Sequence, residues 1–179
     1  MTRPDQTVAD ATASGVRRHR MIDSPLGLLT LVVDDAGRLT GLYLAGQRNR
    51  PVDSDFGVRD NRVAGDVADQ LGEYFAGRRT GFDLDLAPHG TAFQRRVWRA
   101  LLYVPCGTTT TYGSLAASLG MGAGSGRAVG AAVGRNPISI IVPCHRVLGG
   151  DGRLTGYAGG LERKQWLLRH EGAIPATGA

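Results

Sequence analysis

The sequence predicts an α/β protein of two domains: a small N-terminal antiparallel sheet with a helix, and a mainly helical C-terminal domain with a helix-turn-helix and a loop that carries a candidate active-site cysteine. Apolar β-rich runs fill the first half of the 179 residues, and short helical patterns joined by a glycine-rich turn fill the second. A Pro-His-Gly tripeptide at 88–90 marks the boundary. We therefore expect domains over 17–88 and 89–174, between flexible tails over 1–16 and 175–179.

In the N-terminal domain, the apolar runs at 20–33 and 38–44 flank Asp-Asp-Ala-Gly, which is a hairpin signal. The segment 45–65 has few large apolar residues and predicts a loop. Apolar residues at helical spacing over 67–75 predict a helix that a following glycine ends. At 82–86, apolar residues alternate with aspartates, as in a half-buried strand.

The C-terminal domain begins with a helix that Thr91 can cap. A second helix near 112–119 and a third over 127–134 are joined by a glycine-rich turn, and this pair resembles a helix-turn-helix. The run at 138–142 is apolar and β-branched and predicts a buried segment. The last helix is predicted over about 161–170.

Composition and charge exclude several classes of protein. With 42% hydrophobic and 21% charged residues, the chain is not mostly disordered. We expect no transmembrane helix and no secretory signal, and two cysteines make no disulfide framework, so a cytoplasmic location is expected. Residues 91–179 hold ten basic and three acidic side chains, whereas residues 1–90 carry a net charge of −2. A basic half favours a polyanionic partner such as nucleic acid, although solubility alone explains it equally well.

Cys144 has the neighbours that point most directly to chemistry. A thiol followed by an imidazole and a guanidinium is in a setting that lowers its pKa, and the thiolate is a nucleophile. Adjacent side chains of an extended chain point to opposite faces, so we expect a water molecule between Cys144 and His145. Glu171 opposes the dipole of the last helix and can complete a Cys–His–Glu relay. A buried structural cysteine and a solvated carboxylate are the alternatives.

The third predicted helix is built largely of small residues, among them Ala128, Gly130 and Ala131. Small side chains permit a close approach, either to a DNA groove or to a neighbouring helix. Arg127 at its start can reach a phosphate or a base stack, and Asn136 can brace this helix against the cysteine loop. The scattered His and Cys residues lack metal-ligand spacing, so no metal site is expected.

Several sequence blocks resemble those of the O6-alkylguanine-DNA alkyltransferase family. They are DSPLGLLTL at 23–31, FQRRVW at 93–98, VPCGTTTTYG at 104–113, RAVG at 127–130 with NP at 136–137, PCHRV at 143–147, GYAGGL at 156–161 and LLRHEG at 167–172. The likeness covers residues 20–172, and the order and spacing of the blocks make it highly specific.

The resemblance implies a stoichiometric DNA repair protein. Its helix-turn-helix would bind double-stranded DNA from the minor groove and flip the damaged guanine, or O4-alkylthymine, into a pocket. The alkylated base is itself the donor, so no cofactor is implied, and the zinc ligands of some relatives are not matched. A monomer in solution that clusters on DNA is expected.

The resemblance also assigns roles to individual residues. Cys144 would accept the alkyl group, His145 would act through water as its base, and Glu171 would orient His145. Tyr112 would donate a proton or hydrogen bond to N3 of the guanine, and Asn136 would brace the turn before the cysteine loop.

The resemblance also implies which residues contact DNA and which line the pocket. The resemblance places Arg127 in the gap left by the flipped base, with Ala128, Gly130, Ala131 and Tyr112 also against DNA. The pocket is assigned to Val133, Val147, Tyr157, Ala158 and Gly159, with the carbonyls of Cys144 and Val147 reading the guanine amine. Ala158 stands where several relatives have Ser, which removes a hydroxyl contact.

Three other classes of protein stay open on the sequence. A non-catalytic lesion-binding relative would lack the cysteine, which is present here. A turnover cysteine hydrolase would need an oxyanion hole, and a plain helix-turn-helix regulator would not need the Cys–His–Glu set.

Overall fold

The structure, a computed structural model, describes residues 15–175 and divides them into two units. Unit 1 runs to His89 and also includes Pro137–Ser139, whereas unit 2 consists of Gly90–Asn136 and the chain from Ile140 onward. The predicted fold class is confirmed, because unit 1 holds an antiparallel-rich sheet with a helix and unit 2 is mainly helical. The predicted tails lie almost wholly outside the described residues.

Unit 1 is built on a four-stranded sheet of order β3-β2-β1-β4. Its strands are β1 (Arg18–Ile22), β2 (Leu29–Val33), β3 (Leu39–Leu44) and β4 (Val58–Arg59). Strands β1, β2 and β3 pair antiparallel, and β4 pairs parallel to β1. The predicted hairpin is therefore confirmed as β2–β3, where the carboxylate of Asp34 accepts a hydrogen bond from Arg38 N at 2.8 Å.

The structure adds detail to three expectations for unit 1. The β-rich run 20–33 contains two strands, because a turn closed by Gly27 N donating to Ser24 O (2.9 Å) separates β1 from β2. The expected loop 45–65 contains a 3₁₀ turn and β4. Residues 82–86 alternate in burial as predicted but form only an isolated bridge from Leu86 to Leu39. The helix α1 (Gly65–Phe75) is confirmed.

Unit 2 contains four helices among its described residues. They are α2 (Ala92–Leu101), α3 (Tyr112–Ser118), α4 (Gly126–Val133) and α5 (Leu161–His170). Thr91 caps α2 as predicted, because its Oγ1 accepts from Gln94 N while the Gln94 side chain accepts from Thr91 N. The indole of Trp98 donates to the Ala132 carbonyl at 2.8 Å and so fastens α4 to α2. Within residues 15–175, no helix is long and apolar enough to cross a membrane.

A two-stranded parallel pair, β5 (Thr110–Thr111) and β6 (Val147–Leu148), positions the candidate site. Strand β5 leads directly into Tyr112 at the start of α3, and β6 follows the turn that contains Cys144. Pairing therefore brings the start of α3 beside the end of the cysteine loop. Two residues per strand are too few to leave a periodic signal, so the sequence did not predict this pair.

Candidate active site

Cys144 begins a 3₁₀ turn, Cys144–Arg146, and is only 5% exposed. The side-chain amide of Asn136 lies 3.2 Å from Cys144 Sγ through Nδ2 and donates from the same atom to the Val142 carbonyl at 2.8 Å. Asn136 follows α4, so this amide connects the end of the helix to the sulfur. We expected from the sequence that Asn136 braces the helix against the cysteine loop, and the structure brings Asn136 and Cys144 together.

The chain at Cys144 is a 3₁₀ turn, which corrects the extended conformation expected from the sequence. Successive side chains on such a turn point about 120° apart. Cys144 and His145 therefore still diverge, and the imidazole turns away to Glu171 instead.

Glu171 caps the C-terminal end of α5, and three donors converge on its buried carboxylate. His145 Nε2 donates to Oε1 at 2.8 Å, while Arg146 donates from Nε to Oε2 at 2.8 Å and from Nη2 to Oε1 at 2.9 Å. An ionised carboxylate only accepts hydrogen bonds, so the imidazole proton is on Nε2 and a neutral ring has its lone pair on Nδ1. That Nδ1 atom is buried and has no hydrogen-bond partner among residues 15–175.

Burial keeps the imidazole of His145 neutral, although it is paired with Glu171. Burial alone would raise the pKa of Glu171, but the hydrogen bonds from His145 and Arg146 outweigh it and hold that pKa well below its usual value. Arg146 thereby neutralises the carboxylate. Burial lowers the pKa of His145 despite the hydrogen bond to Glu171. At neutral pH the ring is thus a neutral base with an available nitrogen.

The thiol of Cys144 is protonated in the resting protein. Burial raises the pKa of Cys144, although the hydrogen bond from Asn136 and the positive charge of Lys164 oppose this effect. The sequence-based expectation of a lowered thiol pKa was therefore wrong, because both neighbouring side chains face Glu171 rather than the sulfur. A protonated thiol must lose its proton as it reacts, so the site needs a general base.

Lys164 is a residue that the sequence reasoning missed. It is fully buried on α5, and Nζ donates at 2.6 Å to both the Val147 and Thr155 carbonyls. Burial lowers its pKa to about 8. Lys164 shares the buried helical spacing of Leu167 and Leu168, and a lysine at an apolar position was the signal that could have identified it.

Tyr112 is the first residue of α3, and its hydroxyl donates to the Gly156 carbonyl at 3.5 Å. Burial raises the pKa of Tyr112, so the hydroxyl stays protonated and remains a donor. Gly130 of α4 lies against this ring, because a Cβ added there would be 3.5 Å from Tyr112 Cδ1. One small residue of α4 is thus explained by packing against α3.

Helix α4 presents the other predicted DNA-contacting residues to solvent. Its exposed residues are Arg127, Ala128 and Ala131, and its buried ones are Val129, Ala132 and Val133. The side chain of Arg127 makes no hydrogen bond or ion pair with any other residue from 15 to 175, so its guanidinium is available to a ligand.

The predicted pocket residues differ in exposure. Ala158 is partly exposed, and the buried members are Val133, Val147, Tyr157 and Gly159. No cluster of three or more His, Cys, Asp or Glu side chains that could hold a metal ion occurs in the part of the chain that the structure describes.

The helix pair α3–α4 and a buried cysteine followed by a His–Glu pair fit the class of DNA-binding proteins that carry a reactive cysteine. The sequence matches the family models for 6-O-methylguanine DNA methyltransferase, over 18–88 for the ribonuclease-like domain and over 92–173 for the DNA binding domain. The chain belongs to the O6-methylguanine-DNA methyltransferase family. The resemblance seen in the sequence is therefore confirmed.

Curated relatives and solved structures agree with this assignment. A methylated-DNA–protein-cysteine methyltransferase of Mycolicibacterium paratuberculosis is 51% identical over 156 residues, which cover 86% of this chain and 91% of the relative. One from Salmonella typhimurium is 49% identical over 163 residues, covering 86% and 94%. The Mycobacterium tuberculosis O6-methylguanine methyltransferase superposes with a TM-score of 0.81 at 45% identity, covering 91% and 97%. A Mycobacterium tuberculosis OGT in complex with DNA gives 0.80 at 47%, covering 87% and 93%.

Proposed function

We propose that this protein repairs DNA by moving the alkyl group of O6-alkylguanine directly onto Cys144, once per molecule. The observation that carries the proposal is the buried Cys144 thiol with Asn136 at its sulfur, in a turn whose next residue, His145, is a neutral base held by Glu171. The names of the relatives, methylated-DNA–protein-cysteine methyltransferases, support the same reaction.

The reaction is a single displacement at the alkyl carbon. The Cys144 sulfur forms a bond to that carbon as its bond to guanine O6 breaks, and the electron pair of the broken bond stays on the base. The thiol proton passes through a water molecule to Nδ1 of His145, and His145 then returns one proton through water to the departing guanine anion, so the thiol proton ends on the base and the imidazole is neutral again. Tyr112, with its protonated hydroxyl, donates to N3 as negative charge develops on the base.

Single turnover follows from the product. An S-alkylcysteine is a thioether and has no S–H group. The neutral imidazole of His145 therefore has no proton to remove from the sulfur and cannot regenerate a thiolate. The thiol is consumed, and the alkylated base supplies the group without a cofactor. A cysteine hydrolase would instead pass through an intermediate that water cleaves.

Lys164 is suited to positioning the pocket rather than to chemistry on the base. Its ammonium holds the Val147 and Thr155 carbonyls, which belong to two segments around the cysteine loop. A carbonyl oxygen has two lone pairs, so Val147 retains one for the exocyclic amine of guanine. The buried Tyr157 and Gly159 follow Thr155 and would line the pocket.

DNA binding is assigned to the exposed face of α4, in the basic half of the chain. Ala128 and Ala131 have no side chain that would keep the helix from a groove, and we place this face in the minor groove of double-stranded DNA. Arg127 would occupy the gap left by the flipped nucleotide. We expect a monomer that clusters on DNA, and its substrate would place it at the cytoplasmic nucleoid.

Intact-protein mass spectrometry tests the proposed function. The protein is mixed with excess duplex that contains one O6-methylguanine, and the modified peptide is then mapped. We expect a complete shift by one methylene on the Cys144 peptide and none on the peptide with Cys106. An unmodified protein that still prefers the damaged duplex would instead be a lesion-binding protein, and repeated turnover would indicate a hydrolase.

Substituting Arg127 by Ala is expected to slow repair of duplex DNA by about tenfold or more, because unstacking a base costs a few kcal/mol that its side chain would offset. The reaction with free O6-benzylguanine should stay at the wild-type rate, since no base is flipped. Both rate constants are measured in single-turnover experiments.

Arg153→Ala is the matched control, because Arg153 is an exposed arginine of unit 2 outside α4. It removes one positive charge and should leave both rates within a factor of about two. Equal slowing of both substrates by Arg127→Ala would contradict its role in base flipping.

A further inference from the structure

Three residues of unit 1 lie in sequence between two segments of unit 2 that form the candidate active site. Asn136 and everything from Ile140 onward belong to unit 2, but Pro137–Ser139 between them belong to unit 1. We call Pro137–Ser139 the strap. It connects α4, which precedes it, to the loop that carries Cys144.

The backbone of the strap pairs with β3. Leu42 N donates to the Pro137 carbonyl at 2.9 Å, and Ser139 N donates to the Leu42 carbonyl at 3.0 Å. Ile138 forms a parallel bridge with Leu42 and is fully buried. These are backbone contacts that many sequences could make.

A side-chain hydrogen bond adds a contact that depends on two particular residues. Ser139 Oγ donates to Gln47 Oε1 at 2.9 Å, and the same oxygen accepts from Leu44 N at 3.2 Å. Ser139 is 1% exposed and Gln47 is 6% exposed. The donor and acceptor satisfy each other in a buried site, and loss of either leaves the other without this partner. We call this hydrogen bond the tether.

Both ends of the strap are conformationally demanding. Asn136 must hold Nδ2 between the Val142 carbonyl and Cys144 Sγ. Ile140 has φ of +70°, a left-handed conformation that β-branched residues avoid. Such a backbone persists only where the surroundings hold it. The strap, fixed in unit 1, is the segment between these two residues.

We propose that Gln47 and Ser139 are positioning residues for alkyl transfer, because their tether fixes the strap and thereby the amide of Asn136 at the Cys144 sulfur. Without it, the strap keeps its backbone hydrogen bonds and the buried side chain of Ile138 but loses its side-chain hydrogen bond, and Asn136 no longer holds a single position against Sγ. The hydrogen bond from Asn136 stabilises the thiolate, so its loss raises the pKa of Cys144 and slows transfer. The predicted effect on methyl transfer rests on the proposed function, whereas the predicted effect on thiol reactivity does not depend on it.

The test compares Ser139→Ala, Gln47→Met and the double variant with Thr40→Val. Thr40 is a matched control, because it is buried in the same unit and its Oγ1 donates to the Val32 carbonyl at 3.2 Å, a hydrogen bond that does not involve the strap. Three quantities are measured: the single-turnover rate of methyl transfer, the pH profile of iodoacetamide alkylation at Cys144, and the denaturation midpoint. Cys106, mapped on its own peptide, is an internal reference for the alkylation.

Each tether variant is expected to slow methyl transfer about five- to tenfold, the effect of losing about one hydrogen bond. The alkylation profile of Cys144 should move to higher pH. The double variant should be no slower than the slower single variant, because both remove the same contact. Thr40→Val should lower the denaturation midpoint but leave the rate and the profile unchanged.

The proposal is overturned if Ser139→Ala keeps the wild-type rate and profile, or if Thr40→Val slows transfer equally. If the wild-type protein transfers no methyl group but the alkylation profile of Ser139→Ala still shifts, the proposed function fails and the tether stands. If Ser139→Ala does not fold, Gln47→Met gives the same readouts, and failure of both to fold would make the pair structural and overturn the proposal.

Discussion

Cys144→Ser is expected to abolish alkyl transfer and to leave binding of duplex DNA at the wild-type affinity. A hydroxyl is a far weaker nucleophile than a thiolate at neutral pH, and the single base His145 does not compensate for that difference. We expect the transfer rate to fall by about 10⁴-fold or more, as when a member of a catalytic triad is removed. The measurement is the mass of the protein after prolonged incubation with the methylated duplex.

The fold should tolerate this substitution. Serine is slightly smaller than cysteine, and its Oγ can accept the hydrogen bond that Asn136 now directs at the sulfur. Cys106→Ser is the control, because Cys106 is the other cysteine of the chain and should be dispensable for transfer. Methyl transfer by the Cys144→Ser variant at the wild-type rate would show that Cys144 is not the acceptor. Loss of DNA binding would show that the thiol has a structural role.

The candidate catalytic residues were predictable because each has a signal in its local sequence. Cys144 and His145 are adjacent, and Glu171 stands where a helix end disfavours a negative charge, so each was visible without a structure. The sequence did not show which atoms these side chains face. The direction of the His145 ring depends on a turn of three residues, and such a turn has no periodicity to read.

The features that the sequence did not predict have different physical causes. The apolar content of the run 20–33 is nearly continuous, so its pattern did not show the turn closed at Gly27, which depends on local hydrogen bonds within residues 24–27. The strap went unnoticed because pairing of Ile138 with Leu42 joins residues far apart in sequence. Burial of Lys164 was not predicted, because lysines are rarely buried.

Glu171→Gln is expected to slow methyl transfer by about 10²- to 10³-fold and to lower stability by about 3–5 kcal/mol. The amide keeps an oxygen for one donor, but its NH₂ group meets a donor of either His145 or Arg146. Arg146 then remains as a buried cation without a counter-charge. Glu162→Gln is the matched control, because Glu162 is an exposed glutamate on the same helix and should change neither quantity by much.

The stability difference between wild type and Glu171→Gln should depend on pH in one direction. The pKa of Glu171 is held below that of the unfolded chain, so the folded state prefers the ionised carboxylate. Its contribution is complete above the unfolded value of about 4.3 and is lost as the pH falls further through the folded value. Denaturant titrations should therefore give a constant difference from pH 7 to about 5.5 and a smaller one near pH 3.5. A difference that grows on acidification would contradict an ionised Glu171 between His145 and Arg146.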